Sequence, residues 1–180
     1  MMKSIFYPVL AVVLLISSAF MSVSTNKELI IKDGYSIKFT SKDPSGIFKE
    51  FSGKILFDEN DLKSSKFDLA VKVSSISTGN GMMNKKSLSE EWFDAAQFPD
   101  IKFVSTKIEK SDKGYSIIGN LSIKGATKLT KIPTVYKSNG NDGSFSGVFY
   151  VKRSIFHLGK ASDAVPDVLK VTFDVPVSKK

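Results

Sequence analysis

Cysteine is absent from all 180 residues. Disulfide staples, thiol nucleophiles and Cys-ligated zinc are thereby excluded, and the fold must rest on its apolar core alone. Histidine occurs once, at His157, so a Ser-His-Asp triad or a histidine metal site would have to use that one imidazole. No Gly-x-Ser-x-Gly elbow occurs,. The run Gly143-Ser144-Phe145-Ser146-Gly147 enters a hairpin with no helix behind it, and Asp58-Glu59-Asn60-Asp61 reads as a turn rather than a cation loop. Catalysis is therefore not expected, and neither is a metal or cofactor. Internal repeats, low-complexity tracts and linkers are missing as well, which leaves one domain.

What is abundant is phenylalanine, at 14 copies beside five Tyr, in a chain that is 42% hydrophobic and 24% charged. Aromatic and branched residues in that proportion favour strands. The N-terminus reads differently. Met1-Met2-Lys3 gives a short positive start, an apolar run follows from Ile5 to Ile16, and Ser22-Val23-Ser24 offers small side chains to a signal peptidase,. Residues 1–24 are expected to be a signal peptide cleaved near Ser24, leaving 25–180 as the mature domain. The alternative is a retained membrane anchor, since Phe20, Met21 and Val23 prolong the apolar character. Lys3 is the only charged residue before Ser24, so the mature part keeps +7 of the formal +8. Its lysines are scattered along the strands. That pattern suits a solvated basic surface with transient contact at a membrane, and together with export it argues against nucleic acid.

Beyond Thr25 the apolar residues recur with period two. Tyr35, Ile37 and Phe39 form one such series; Phe67, Leu69, Val71 and Val73 form another. Tyr115, Ile117, Gly119, Leu121 and Ile123 make a third, and Val171, Phe173, Val175 and Val177 a fourth. Alternation of this kind gives strands with one dry and one wet face. Turn residues at Asp33-Gly34, Asp43-Pro44-Ser45-Gly46, Asp112-Lys113-Gly114 and Asn139-Gly140-Asn141-Asp142-Gly143 separate them. Eight strands are predicted, over 28–41, 47–57, 67–76, 100–109, 114–124, 129–138, 144–153 and 168–177, mostly antiparallel. Ser87 to Ala96 lacks the alternation. With Ser89 as cap, Glu90 and Glu91 in the first turn and Pro99 beyond, it predicts one short helix on the crossover between strands three and four. Eight such strands make either a sandwich or a closed barrel, and the pattern leaves open whether a barrel would be filled or hollow.

Ser75-Ile76-Ser77-Thr78-Gly79-Asn80, then Met82-Met83-Asn84, Trp92-Phe93-Asp94 and Phe98-Pro99-Asp100-Ile101-Lys102-Phe103 resemble the signature of the YceI-like family, which reads approximately S-I-x-T-x-N, F-F-D and P-x-I-x-F. Phe51 to Asp58 is similar to its F-x-G-x-I-x-F-D strand. Gly119 to Lys128 is similar to its G-x-L-x-I-x-G-V-T-K hairpin, with Ala126 for Val, and Val151 to Phe156 to its I-x-R-x-x-F piece. The likeness runs over about residues 28–178. Lys86 stands where many relatives carry a His. The resemblance implies an all-β, eight-stranded antiparallel lipocalin-like barrel, exported to the periplasm, that holds an isoprenoid, quinone or similar long amphiphile in its lumen and has no catalytic site.

On that reading the tunnel is lined by Phe39, Phe51, Phe57, Leu69, Val71, Phe103, Ile117, Leu121, Phe149 and Phe173; the competing reading has them fill a closed core. Met82, Met83, Trp92, Phe93 and Phe98 form either a lid over one end or an ordinary cap. Arg153 and Lys86 are the candidate cations for a ligand head group, against structural ion pairing or simple solvation. Two other functions stay open: a non-binding accessory protein with a filled barrel that docks a membrane complex, and a small hydrolase or isomerase using His157.

Overall fold

The computed structural model describes residues 28–41, 45–160 and 166–180. The segment expected to be a signal peptide, 1–24, and the Asp43-Pro44 part of one expected turn lie outside the described residues. In chain order the strands are β1 (Glu28–Ile31), β2 (Ser36–Thr40), β3 (Gly46–Phe48), β4 (Phe51–Leu56), β5 (Lys66–Lys72) and β6 (Ile76–Ser77). The one α-helix among the described residues, α1 (Gly81–Leu88), follows, then β7 (Asp100–Ser111), β8 (Gly114–Ile123), β9 (Ala126–Asn139), β10 (Asp142–Lys152) and β11 (Val168–Lys179). Every pairing is antiparallel, and the circuit β1-β4-β5-β7-β8-β9-β10-β11 closes where β11 returns to β1 through Leu29↔Lys179 and Ile31↔Val177. The result is a closed eight-stranded barrel with one helix on the β6–β7 crossover.

The eleven segments are the eight expected strands with three of them cut in two. Residues 28–41 divide into β1 and β2, 47–57 into β3 and β4, and 67–76 into β5 and β6. Of these six segments β1, β4 and β5 belong to the ring. β2 instead pairs with β11 further along, from Lys170↔Thr40 to Asp174↔Ser36, and carries β3 and β6 with it. Side chains take over the backbone groups freed at the breaks, as buried backbone requires. Lys49 N donates to Ser75 Oγ at 3.1 Å and Phe51 N to the Tyr35 hydroxyl at 3.2 Å, while that hydroxyl donates to Lys49 O at 3.0 Å. Ser75 Oγ in turn donates to Lys72 O at 2.7 Å across the 3-10 turn Val73–Ser75. On the far side a bulge in β7 between Ser105 and Lys107 shifts register. Phe103 and Ile108, five residues apart, are consequently both buried,.

The helix lies earlier than the sequence predicted. Asn80, not Ser89, is its N-cap, with Oδ1 accepting from Met82 N and Met83 N at 3.0 and 3.1 Å. Ser89 ends it, donating from both N and Oγ to Lys86 O, and Glu90 to Phe98 runs through turns. The positive φ of Gly79 (78°), the extended backbone of Asn80 and the acceptor strength of the Asn side chain outweigh the acidic pair downstream,.

Two glycines of the motif strands are dictated by close backbone approach. A Cβ on Gly53 would sit 2.2 Å from Asp68 O, at a φ of +150°. One on Gly119 would meet Val104 O at 2.4 Å and the Phe103 ring at 2.7 Å. One end of the barrel is sealed by aromatic rings. Phe57 lies 5.0–6.0 Å, centroid to centroid, from Phe67, Tyr115, Tyr136 and Phe145, mostly edge to face as ring quadrupoles prefer.

Tyr115 in this floor is buried and donates to Glu59 Oε1 at 2.8 Å. Burial first, and then the Glu59 hydrogen bond, push its hydroxyl up from 10.0 to about 12. The unfolded chain therefore loses this proton before the folded one does, so the contribution of Tyr115 is intact below pH about 10 and is lost as pH rises towards about 12. Denaturant midpoints measured from pH 9 to 12.5 are expected to fall less steeply for Tyr115→Phe than for the wild type; identical slopes would show that the tyrosine is not held neutral.

Candidate functional site

Above the aromatic floor the barrel encloses a cavity of about 160 Å³. Twenty residues line it and nineteen are aliphatic or aromatic, the exception being Thr134. The Thr134 hydroxyl donates to Ile132 O at 3.1 Å, so it presents no free hydrogen to the lumen. Period-two alternation on a closed sheet aims these side chains inward, but eight strands enclose more room than they occupy. A site of this chemistry stays dry and has no purchase on water or ions.

A second cavity of about 90 Å³ lies at the cap end and shares Phe48, Ile101, Ile123, Val151 and Val171 with the first. Its own walls include Phe39, Trp92, Phe93 and Arg153. Phe39, Phe48 and Ile76 form a small buried cluster here, with Phe93 edge-on to Phe48 at 6.1 Å.

Of the ten residues expected to line the tunnel, Phe51, Leu69, Val71, Phe103, Ile117, Leu121, Phe149 and Phe173 face the larger cavity. Phe39 belongs to the cap cavity. Phe57 lines neither; it is 4% exposed within the floor cluster, because it follows the last residue of β4 where the barrel is already shut. Ile37, Phe67, Ile123, Val171 and Val175 also line the lumen, and each stood in an alternating series with residues that were singled out. Phe48 and Thr134 carried no such signal: Phe48 sits on a three-residue strand, and the alternation of β9 is obscured by its lysines and Pro133.

The expected lid divides. Trp92 and Phe93 wall the cap cavity, and the ring of Phe98 lies over Gly125, 3.0 Å from where a Cβ would stand. Met82 and Met83 do not join them. They are 81% and 37% exposed on a helix that buries no residue, since α1 projects its first turn into solvent.

The two candidate cations flank Trp92. Lys86 is exposed, with Nζ 5.8 Å from the ring centroid; the Arg153 guanidinium is 5.1 Å from it. Arg153 is 4% exposed. Its Nε donates to Pro166 O at 3.0 Å and its guanidinium also donates to Leu158 O. Next to it, Asp167 Oδ1 and Oδ2 accept from Ser154 N and Oγ, and these hydrogen bonds, the backbone one foremost, hold the Asp167 carboxyl below the usual range. Arg153 thus ties the turn Arg153–Phe156 to the start of the segment leading into β11. His157 is exposed, in the left-handed region at φ 57°, and lines neither cavity. No three His, Asp or Glu side chains among the described residues converge as a metal site.

A closed antiparallel barrel with an apolar, partly unfilled lumen defines the lipocalin-like class. The YceI-like domain matches residues 29–177, and the chain belongs to that family. It is 29% identical to a UPF0312 protein of Yersinia enterocolitica over 136 residues, covering 70% of this chain and 71% of that one. Among solved structures it is similar to BcnA of Burkholderia cenocepacia (TM-score 0.75, 28% identity, 79% of this chain and 95% of that chain). A polyisoprenoid binding domain from Saccharophagus degradans shares the fold at TM-score 0.64 and 13% identity, over 86% of this chain and 99% of that chain.

If Arg153 is an anchor of the cap, Arg153→Ala removes the donors to Pro166 O and to the buried Leu158 O and is expected to cost about 2–5 kcal/mol of stability, read as a lower denaturant midpoint with no ligand present. Lys86→Ala is expected to leave the midpoint near the wild type. Equal, small effects of both would show that Arg153 carries no structural load.

Proposed function

We propose that this chain is an exported carrier that holds an isoprenoid, quinone or other long apolar amphiphile along the barrel axis. The unfilled lumen is the observation that carries the reading. Empty apolar space in a protein interior costs about 24 cal/mol per Å³, so 160 Å³ left vacant costs about 4 kcal/mol that a hydrocarbon chain recovers by contact and by leaving water. A filled barrel serving only as a docking scaffold would have no reason to keep that space. The polyisoprenoid binding described for the Saccharophagus degradans domain supports the same class of ligand.

The lumen shares five lining residues with the cap cavity, and an apolar wall running through both suits a flexible chain. Residues 1–24 act in this proposal as a signal peptide, the mature barrel works in the periplasm, and its basic surface meets anionic membranes in passing. The chemistry required is binding and release; no bond is made or broken.

Protein purified from its native host and extracted with organic solvent is expected to release a long apolar amphiphile detectable by mass spectrometry. Returning that extract to the stripped protein is expected to raise its unfolding midpoint. A clean extract, together with no shift on adding polyisoprenols or prenyl quinones, would contradict carriage.

A further inference from the structure

Four residues with polar side-chain atoms line the two cavities. Thr134 lines the lumen, and Ser87, Trp92 and Arg153 line the cap end. The Thr134 hydroxyl donates to Ile132 O at 3.1 Å and the Ser87 hydroxyl to Met83 O at 2.9 Å. Arg153 is spent on the carbonyls of Pro166 and Leu158. The indole of Trp92 differs. Its Nε1 is buried and has no hydrogen-bond partner among the described residues. Buried N–H groups left unpaired are rare because they forfeit the bond they made to water.

We infer that Trp92 Nε1 is the polar contact of the carried ligand, donating to an uncharged or anionic oxygen at the end that lies under the cap. The inference rests on the carrier reading of the lumen and sharpens it to a class. An indole N–H is a donor only, so it recognises a carbonyl, ether or hydroxyl oxygen and gains nothing from a bare hydrocarbon. The cations on the ring, Arg153 at 5.1 Å and Lys86 at 5.8 Å, repel a basic head group, attract an electron-rich oxygen and, by polarising the indole, strengthen its N–H as a donor. The ligand is accordingly a long apolar chain ending in an oxygen acceptor, oriented with that end at Trp92 and its tail running towards the floor of Phe67 and Phe145.

Trp92 is also the only tryptophan in the chain, so tryptophan emission reports the surroundings of this one indole. The test compares two probes of equal length: geranylgeranylacetone, a tetraprenyl ketone, and the hydrocarbon in which its carbonyl is a methylene. Wild type is expected to bind the ketone about threefold to tenfold more tightly than the hydrocarbon, with an emission shift that only the ketone produces. Trp92→Phe keeps an aromatic ring in the cap and removes the donor. It is expected to abolish the preference while its affinity for the hydrocarbon, followed by displacement of a bound apolar dye, stays near the wild type. Equal affinity of wild type for both probes, or a preference that survives Trp92→Phe, overturns the inference and leaves carriage standing. Failure of wild type to bind either probe overturns carriage and the inference with it. Should Trp92→Phe not fold, the wild-type comparison and its emission shift decide the matter alone.

Discussion

The pairing of β11 back onto β1 is the contact on which everything else depends. Once eight antiparallel strands close, no residue has a choice of face: every second side chain points inward, and the interior volume follows from strand number rather than from how much the side chains need. Open sheets adjust their packing by sliding; a closed ring cannot. Here the ring is shut at one end by Phe57 and the four aromatic rings around it and left incompletely filled above them. The cavity is thus a consequence of closure combined with a chain whose inward residues are Phe, Ile, Leu and Val.

The cap end obeys a different physics. There the ladder is broken, and polar side chains hold what backbone pairing holds elsewhere. Ser75 bridges Lys49 and Lys72. Asn84 Oδ1 accepts from both N and Oγ1 of Thr78, and Asn80 caps the helix. Arg153 pins a turn by its carbonyls. These are the residues of the segments that resemble the YceI-like signature. Their positions show that the signature marks the architecture of the cap, together with glycines such as Gly53 and Gly119 that let neighbouring strands approach.

Much of the fold was legible because alternation is a direct consequence of strand geometry. The clean series at Tyr115 to Ile123 and Val171 to Val177 became β8, with that face buried, and β11, where Val175 and Val177 are buried and Val171 and Phe173 line the lumen. What stayed hidden depended on contacts between distant segments. The cuts in the first three strands follow from bonds between Tyr35, Lys49 and Ser75, which no local pattern announces. The bulge in β7 changes which residues face inward midway along a strand that reads as uniform. The helix was misplaced because two acidic residues after Ser89 resembled a helix start, whereas Asn80 held the stronger cap. Phe57 is expected from sequence to line the tunnel, yet only the closed end of the barrel decides that it packs as floor rather than wall. Trp92 was legible as a cap residue, but its unpaired nitrogen is a property of its surroundings and not of its sequence position.

The central claim is that the space above the aromatic floor accepts a hydrocarbon chain. A crystal of the protein grown with a polyisoprenol tests it most directly. The account predicts continuous elongated density inside the barrel, in contact with Phe103, Leu121 and Phe173, with the floor of Phe57, Phe67 and Phe145 unmoved. Side chains collapsed into that space, with any bound lipid confined to the outer surface, would contradict it.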